Sequence, residues 1–321
     1  MKNRFARRFA LLAAGCLASL HLAWAQPASD QPIRFIVITA PGGAADQFAR
    51  LVGERLSTAL GRTVLVENKP GAGGNIASQF VAKAAPNGNT FLITSNNHTV
   101  NPTLYAKPGY SFEELVPVVQ IARGPSVLVV HPSSPFKTVK ELVDSAKTKP
   151  LPYGSIGVGS GTHLVAECLK ATTGAKLEHV PYKGGAPAVA DVVGGQVPAV
   201  ITTLASAGSF IKADRLRALA VSSNGRWALT PGIPTLGENG WGECTIETWI
   251  GIMAPKDTPA NVITRVNAAT AALLKTAEVK EKMVPTGYEP VGESAEKFDA
   301  MLRTEFDKMS KLIKQAGISA E

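Results

Sequence analysis

Residues 33–60 read IRFIVITAPGGAADQFARLVGERLSTAL and carry the clearest structural signal in the chain. The apolar, β-branched run over 33–39 predicts a buried strand, and Pro41-Gly42-Gly43 predicts the turn that ends it. The apolar residues that follow recur at helical spacing: Phe48, Val52, Leu56 and Leu60. We therefore predict a helix over 44–60, stopped by Gly61. A strand that turns through glycine into a helix is the first half of a βαβ unit.

The same alternation continues along the chain. Further strands are predicted at 63–67, 90–94, 127–130, 151–155, 178–181, 199–202 and 216–221. Helices are predicted to begin near Thr162, Pro187 and Ser206, and two long helices close the chain from Thr258 and Ser294. This rhythm predicts an α/β fold with parallel-dominated sheets and right-handed crossovers. At 321 residues the chain is long enough for two lobes.

The first 25 residues resemble a secretory leader. Four basic residues precede an apolar stretch over 9–22, and Ala23-Trp24-Ala25 fits the cleavage pattern. We predict cleavage after Ala25 and a periplasmic protein; Sec and twin-arginine export both stay open. Removing the leader takes four basic residues and no acid from a net charge of +8, leaving +4. Because no dense basic run accompanies that mild excess, nucleic acid is not an expected partner.

Two cysteines remain beyond the leader, Cys168 and Cys244. They could pair in an oxidising compartment, but spacing alone does not show that their side chains meet. Without a histidine cluster they do not indicate a metal site, and no cofactor motif is present.

Two glycine-rich loops follow predicted strands and precede predicted helices. The first is Pro41-Gly42-Gly43-Ala44-Ala45-Asp46, and the second spans Ser155-Ile156-Gly157-Val158-Gly159-Ser160-Gly161-Thr162-His163. Free N–H groups at a helix start, together with the helix dipole, favour an anion such as a carboxylate. Each loop alone is equally compatible with a tight turn. Asp46 suits the first turn of its helix, and His163 suits either a first helical turn or a catalytic base.

Catalytic motifs are absent from the sequence. Neither Ser155 nor Ser160 lies in a Gly-x-Ser-x-Gly nucleophile elbow, and no Walker or complete dinucleotide fingerprint occurs. The sequence therefore predicts a protein that is not an enzyme.

Several segments together resemble one family, the Bug family of extracytoplasmic receptors of tripartite tricarboxylate transporters. They include the first loop, Val66-Glu67-Asn68-Lys69-Pro70-Gly71-Ala72-Gly73-Gly74-Asn75-Ile76, Asn101-Pro102-Thr103-Leu104-Tyr105, Tyr153-Gly154-Ser155 and His179-Val180-Pro181-Tyr182-Lys183-Gly184. The resemblance covers almost all of the chain beyond the leader.

The resemblance implies a type II periplasmic-binding-protein fold, a Venus flytrap with two crossover strands near 123–127 and 247–252. Lobe 1 would comprise 26–126 with 247–321, and lobe 2 would comprise 127–246. The family holds a ligand carboxylate with backbone amides of two facing loops. Carried over, the site residues are Pro41, Gly42, Gly43, Ala44, Ala45, Asp46, Ser95, Asn96, Ser155, Gly159, Ser160, Gly161, Thr162, His163, Tyr182, Thr202 and Thr203.

This sequence departs from the family pattern at two places. Ala44-Ala45 replaces hydroxyl residues, which leaves backbone donors there. Thr202-Thr203 replaces an Asp-Asn pair, which argues against a ligand with an amino group. Dicarboxylates and aromatic monocarboxylates stay open as ligands, and the receptor is expected to be a monomer.

Three functions compete on the sequence alone. The first is a receptor that delivers a carboxylate to the large and small membrane subunits of a transporter. The second is an exported hydrolase acting on a carboxylate ester through Ser155, Ser160 or His163. The third is a ligand-sensing partner of a membrane sensor kinase, which would make the same ligand contacts as the first.

Overall fold

The computed structural model of the protein describes residues 31–320; the predicted leader and its cleavage site lie outside them. The strands are β1 (Ile33–Val37), β2 (Val64–Asn68), β3 (Thr90–Thr94), β4 (Leu115–Val130), β5 (Leu151–Ser155), β6 (Leu177–Pro181), β7 (Ala199–Thr203), β8 (Arg217–Val221), β9 (Glu247–Pro255) and β10 (Glu289–Pro290). The helices are α1 (Ala44–Leu60), α2 (Asn75–Ala82), α3 (Asn97–Leu104), α4 (Val139–Thr148), α5 (Gly161–Thr173), α6 (Gly185–Val193), α7 (Leu204–Lys212), α8 (Ala260–Leu274), α9 (Ala277–Met283) and α10 (Ala295–Ala316).

The sheet has the order β2-β1-β3-β9-β4-β7-β5-β6. Two parallel trios stand at its ends: β1 pairs in parallel with β2 and β3, and β5 pairs in parallel with β6 and β7. The antiparallel strands β9 and β4 join the trios. Parallel strands need helical crossovers, which explains why α1, α2, α5 and α6 separate them along the chain. The predicted α/β class is confirmed.

Strand β4 connects the two halves of the sheet. Its first part, through Pro125, pairs with β9, and its second part, from Ser126, pairs with β7 and β8. Both predicted crossover segments lie in these two strands. From Ile33 onward the chain forms one compact unit, so the lobe boundaries of the sequence interpretation stay a prediction.

The core follows from the apolar periodicity. The predicted inner face of α1 is fully confirmed: Phe48, Val52, Leu56 and Leu60 are all buried. Gly61 ends the helix in the left-handed conformation, with φ of 64°. Predicted boundaries are less accurate elsewhere, because α6 begins at Gly185 and α7 at Leu204, each two residues before the predicted starts.

The two cysteines form a disulfide that the sequence left undecided. Cys168 on α5 bonds Cys244, which lies in the turn before β9, and 76 residues separate them. Both are buried in one apolar cluster with Leu164 and Ile246. The bond therefore ties α5 to the approach of the connecting strand β9. None of the helices in residues 31–320 is long and apolar enough to cross a membrane.

Candidate ligand-binding site

The predicted site residues lie at the carboxyl ends of the two parallel trios. Val37 of β1 is in register with Ile93 of β3, so the first loop and Ser95 leave the sheet at the same edge. In the other trio, Ser155 of β5 is in register with Pro181 of β6, and Gly154 with Val200 of β7. Tyr182 and Thr202 therefore flank the second loop. Ligand sites of open α/β sheets form at such carboxyl ends.

The first loop is held in shape by Asp46. One carboxylate oxygen accepts the Gly42 N–H at 2.9 Å, and the other accepts from Arg50 Nε at 3.0 Å and Asn68 Nδ2 at 2.9 Å. Burial alone would raise the pKa of Asp46, but the hydrogen bonds from Arg50, Gly42 and Asn68 together lower it. The ionised side chain thus fixes the loop. Because both carboxylate oxygens are engaged within the protein, the group of Asp46 that is available to a ligand is its backbone N–H.

The first turn of α1 presents three backbone donors. Within residues 31–320, no hydrogen bond uses the N–H groups of Ala44, Ala45 or Asp46. Gly43 is the N-cap and supplies no side-chain acceptor. The donors stand at the positive end of a 17-residue helix. This arrangement favours a bound anion, because the amides and the helix dipole act together.

Most polar groups of the second loop bond within the loop. Ser155 Oγ lies 2.6 Å from His179 Nε2 and accepts the Gly157 N–H at 3.1 Å. Ser160 Oγ donates to the Gly157 carbonyl at 2.6 Å, and Thr162 Oγ1 accepts the Ile156 N–H at 3.2 Å. These bonds hold the backbone in one shape.

The second loop also leaves donors unused at the start of α5. In the part of the chain that the structure describes, the N–H groups of Val158, Gly161 and Thr162 have no acceptor. Neither this loop nor the first contains a lysine or arginine. Among the residues of these two loops, it is therefore the amide dipoles that can stabilise an anion.

Two stacked histidines contact the second loop: His163 is its last residue, and His179 lies on the neighbouring strand β6. The rings of His163 and His179 are 4.2 Å apart. Burial, followed by the nearby Lys170 charge, lowers the pKa of His163 to about 4. Burial, followed by His163, lowers the pKa of His179 to about 4 as well. Both rings are neutral at pH 7, and His163 Nδ1 accepts the Gly159 N–H at 3.3 Å, so His163 supports the loop.

The contact between Ser155 and His179 resembles half of a catalytic triad, but its surroundings favour a structural role. Ser155 is fully buried, and its Oγ already accepts the Gly157 N–H. A nucleophile needs access to its substrate and a free attacking oxygen. The geometry gives no support to a hydrolase that uses Ser155 as its nucleophile.

The start of α3 lies against the second loop. A Cβ on Gly161 would be 3.2 Å from Asn96 Oδ1, and a Cβ on Gly159 would be 3.1 Å from Asn101 Oδ1. Glycine at both positions therefore permits this close approach. The structure brings Asn96 to the second loop, while Ser95 Oγ bonds Asn97 Oδ1 at 3.0 Å. No hydrogen bond among the described residues joins residues 41–46 to residues 155–163.

Thr202 and Thr203 end β7 beside a third helix start. Thr202 Oγ1 is buried without a hydrogen-bond partner among the described residues, and Thr203 Oγ1 lies 3.1 Å from Ser206 Oγ. Tyr182 OH donates to Asp191 at 2.7 Å; burial, then Asp191, raises the pKa of Tyr182 to about 12. The hydroxyl of Tyr182 is thus occupied by the protein itself.

The sequence reasoning missed this third helix start. Gly185 and Ala186 open α6 with N–H groups that no described residue accepts, and Pro187 has none. A Cβ on Gly185 would be 3.0 Å from Thr202 Oγ1, and the Tyr182 N–H donates to the Ser155 carbonyl at 3.0 Å. The sequence contains a pattern that could have predicted it: Gly184-Gly185-Ala186-Pro187 stands between a strand and a helix, as the glycines of the two predicted loops do.

Metal chemistry has no candidate ligand set here, since residues 31–320 hold no group of three or more His, Cys, Asp or Glu placed to bind an ion. The unpartnered donors at the three helix starts are backbone N–H groups instead. Such a set suits a small anion whose oxygens accept several hydrogen bonds.

The family model described as "Tripartite tricarboxylate transporter family receptor" matches residues 48–318. The chain belongs to this family. Receptors of this family are periplasmic solute-binding proteins, and the resemblance inferred from the sequence motifs is confirmed.

Individual relatives agree with this assignment. The UPF0065 protein in the tcbD-tcbE intergenic region of Pseudomonas sp. (strain P51) is 37% identical over 91% of this chain and 88% of its own. A protein of R. palustris solved with adipate is 33% identical, with a TM-score of 0.82 over 92% of this chain and 99% of that one. The periplasmic binding protein BugD is 30% identical, with a TM-score of 0.81 over 91% and 100%. The predicted periplasmic-binding-protein fold is confirmed by these likenesses.

Proposed function

We propose that this protein is an exported, monomeric receptor that binds a small carboxylate and delivers it to the two membrane subunits of a tripartite tricarboxylate transporter. One observation carries the proposal: α1 and α5 both begin with unpartnered N–H groups at the carboxyl ends of parallel strands, where the loops contain no cation. The adipate in the related R. palustris protein is a ligand of the same class.

In this proposal one carboxylate oxygen pair lies between the two helix starts. Ala44, Ala45 and Asp46 donate from one side, and Gly161 and Thr162 donate from the other. Charge-assisted hydrogen bonds contribute roughly 1.5–3 kcal/mol each, so a few suffice for micromolar affinity after the entropy loss of binding. Ordered water extends the reach of these donors where a direct contact is too long.

The far end of the ligand meets Thr202, Thr203 and the start of α6. No acidic side chain belongs to this set, so a ligand amino group finds no partner of opposite charge there. We infer that the ligand is a mono- or dicarboxylate without an ammonium group. Export rests on the leader, with removal of residues 1–25 after Ala25.

The test begins with native mass spectrometry of protein purified without refolding, followed by thermal shifts with adipate, succinate, benzoate and glutamate. Binding of a ligand at a hundred times its Kd stabilises the folded state by about 2.7 kcal/mol. We expect adipate, succinate or benzoate to raise the melting temperature, with adipamide and benzamide as neutral controls that do not. A shift by glutamate alone, or equal shifts by acids and amides, would contradict the proposal.

His179 provides a prediction about the second loop. His179→Ala removes the 2.6 Å partner of Ser155 Oγ, and the loop that carries the α5 donors loses its fixed shape. We expect affinity for the carboxylate to fall by about tenfold, about 1.4 kcal/mol, in isothermal titration calorimetry. His179→Gln, which places an amide nitrogen near the position of Nε2, should recover most of the loss. Equal affinities of the wild type and the alanine variant would show that this contact does not support the site.

A further inference from the structure

Glu305 on α10 joins three elements next to the candidate site. Its carboxylate accepts hydrogen bonds from Asn96 Nδ2 at 2.7 Å, from Thr99 Oγ1 at 3.0 Å and from Trp249 Nε1 at 2.6 Å. Asn96 and Thr99 belong to the start of α3, and Trp249 lies in the connecting strand β9. Asn96 Nδ2 and Trp249 Nε1 are donors only, as an ionised carboxylate requires, whereas Thr99 Oγ1 shares its single hydrogen between Glu305 and the Asn96 carbonyl at 2.8 Å.

By accepting from Asn96 Nδ2, Glu305 turns the side-chain oxygen Oδ1 of Asn96 towards the second loop. Asn96 Nδ2 also donates to the Glu247 carbonyl at 3.0 Å, so both of its amide hydrogens are used. The remaining oxygen, Oδ1, is buried without a hydrogen-bond partner among the described residues. It lies 3.2 Å from where a Cβ on Gly161 would stand, beside the first residue of α5.

We propose that Glu305 is a positioning residue of the ligand site: its ionised carboxylate orients Asn96 against the start of α5, and ligand affinity depends on that ionisation. The inference rests on the proposed function, because it concerns the same site. In this arrangement Asn96 offers the site an acceptor and no donor, so it does not bind the ligand carboxylate directly. It accepts instead from a ligand hydroxyl or from an ordered water molecule.

The protonation state of Glu305 changes near neutral pH. Burial raises the pKa of Glu305 to about 7, against the opposing hydrogen bonds from Asn96, Trp249 and Thr99 and the charge of Lys308. Lys308 lies on the same helix, and its Nζ donates to the Thr245 carbonyl at 2.8 Å. The groups facing Glu305 from α3 and β9 are the uncharged Asn96, Thr99 and Trp249. His163 and His179, with pKa values of about 4, stay neutral across this range.

Binding and stability should therefore respond to pH in opposite directions. Above pH 7 Glu305 is ionised and holds Asn96 through charge-assisted bonds, so affinity is highest there and falls as pH drops through 7. The folded pKa is raised above the ordinary value of 4.5, so the unfolded chain releases this proton first. The contribution of Glu305 therefore lowers stability as pH rises from 4.5 to 7.

The experiment compares the wild type with Glu305→Gln and with Asp307→Asn, an exposed carboxylate on the same helix. Calorimetry at pH 8 and pH 6 uses whichever of adipate, succinate or benzoate stabilises the wild type most. Glutamine places an NH₂ against Asn96 Nδ2 or Trp249 Nε1, so we expect an affinity about tenfold weaker at pH 8. From pH 8 to pH 6 the wild type and the variant with asparagine at 307 should both lose about fivefold in affinity relative to the glutamine variant, which lacks the titrating carboxylate. Dividing the affinity of one protein by that of another at the same pH removes the effect of ligand protonation, which is the same for all of them.

A second readout needs no ligand. In the unliganded protein the Trp249 indole N–H resonance, assigned with Trp249→Phe, should titrate near pH 7 in the wild type and stay fixed in Glu305→Gln. Should the glutamine variant not fold, Thr99→Val replaces it: loss of one donor to the ionised carboxylate should move the indole midpoint to higher pH. A wild type that binds none of the three acids contradicts the proposed function. Binding in which Glu305→Gln and Asp307→Asn behave alike, or an indole that does not titrate, overturns the role of Glu305.

Discussion

Gly43→Asp is expected to weaken carboxylate binding by at least a hundredfold, about 2.7 kcal/mol, while the protein stays fully folded. Gly43 is the N-cap of α1 in an extended conformation, with φ of −70° and ψ of 161°. Any residue adopts this backbone, and aspartate is among the preferred N-caps. Its carboxylate would accept the N–H groups of Ala45 and Asp46. It would thus occupy the ligand's donors and place a like charge where the ligand carboxylate binds.

Two control variants separate the causes of that loss. Gly43→Ala adds only a Cβ, 3.2 Å from Thr39 Oγ1, and should bind within about threefold of the wild type. Gly43→Asn offers the same side-chain acceptor without the charge and should lose about tenfold, about 1.4 kcal/mol. Calorimetry gives the affinities, and urea unfolding checks that all three variants stay as stable as the wild type. Undiminished affinity in Gly43→Asp would remove the first loop from the site.

The disulfide should contribute the largest single share of stability. Replacing both Cys168 and Cys244 by alanine opens a crosslink between residues 76 apart. By the chain-entropy relation, a loop of that length corresponds to about 4.5 kcal/mol of unfolding free energy. Alanine avoids placing a hydroxyl in the apolar cluster that surrounds both positions. We expect a clearly lower urea midpoint for the double variant.

Reductant supplies the matched control for the disulfide. Dithiothreitol should lower the urea midpoint of the wild type towards that of the double-alanine variant, and it should leave the variant itself unchanged. Coincident unfolding curves for the oxidised wild type and the double variant would contradict the prediction. Because the bond ties α5 to the approach of β9, a second effect is expected on ligand affinity, smaller than the effect on stability.

Local sequence patterns predicted the elements and the glycine-rich loops well. The alternation of apolar strands and amphipathic helices needs only neighbours in the chain, so α1 was predicted with its buried face and its terminating glycine. The two loops were recognisable because glycine between a strand and a helix has a small set of structural uses. Helix starts were less accurate at α6 and α7, where no side-chain cap marks the boundary.

Long-range contacts were beyond the sequence. No sequence pattern near Asn96 indicates that Glu305, 209 positions later, accepts a hydrogen bond from its amide. No pattern near Ser155 indicates its contact with His179. The role of Asp46 shows the same limit: its position at a helix start was visible, but its bonds to Arg50 and Asn68 require the folded loop. Which loop amides remain free depends on these side-chain acceptors. The ligand-binding roles of the individual residues and the lobe boundaries stay predictions.

A crystal structure of the protein with its bound carboxylate tests the central claim most directly. The account predicts one ligand whose carboxylate oxygens lie about 2.7–3.2 Å from backbone nitrogens of the first turn of α1 and, directly or through one water, from those of Gly161 and Thr162. A ligand held by a lysine or arginine, or one that contacts a single helix start while the other faces bulk solvent, would contradict it.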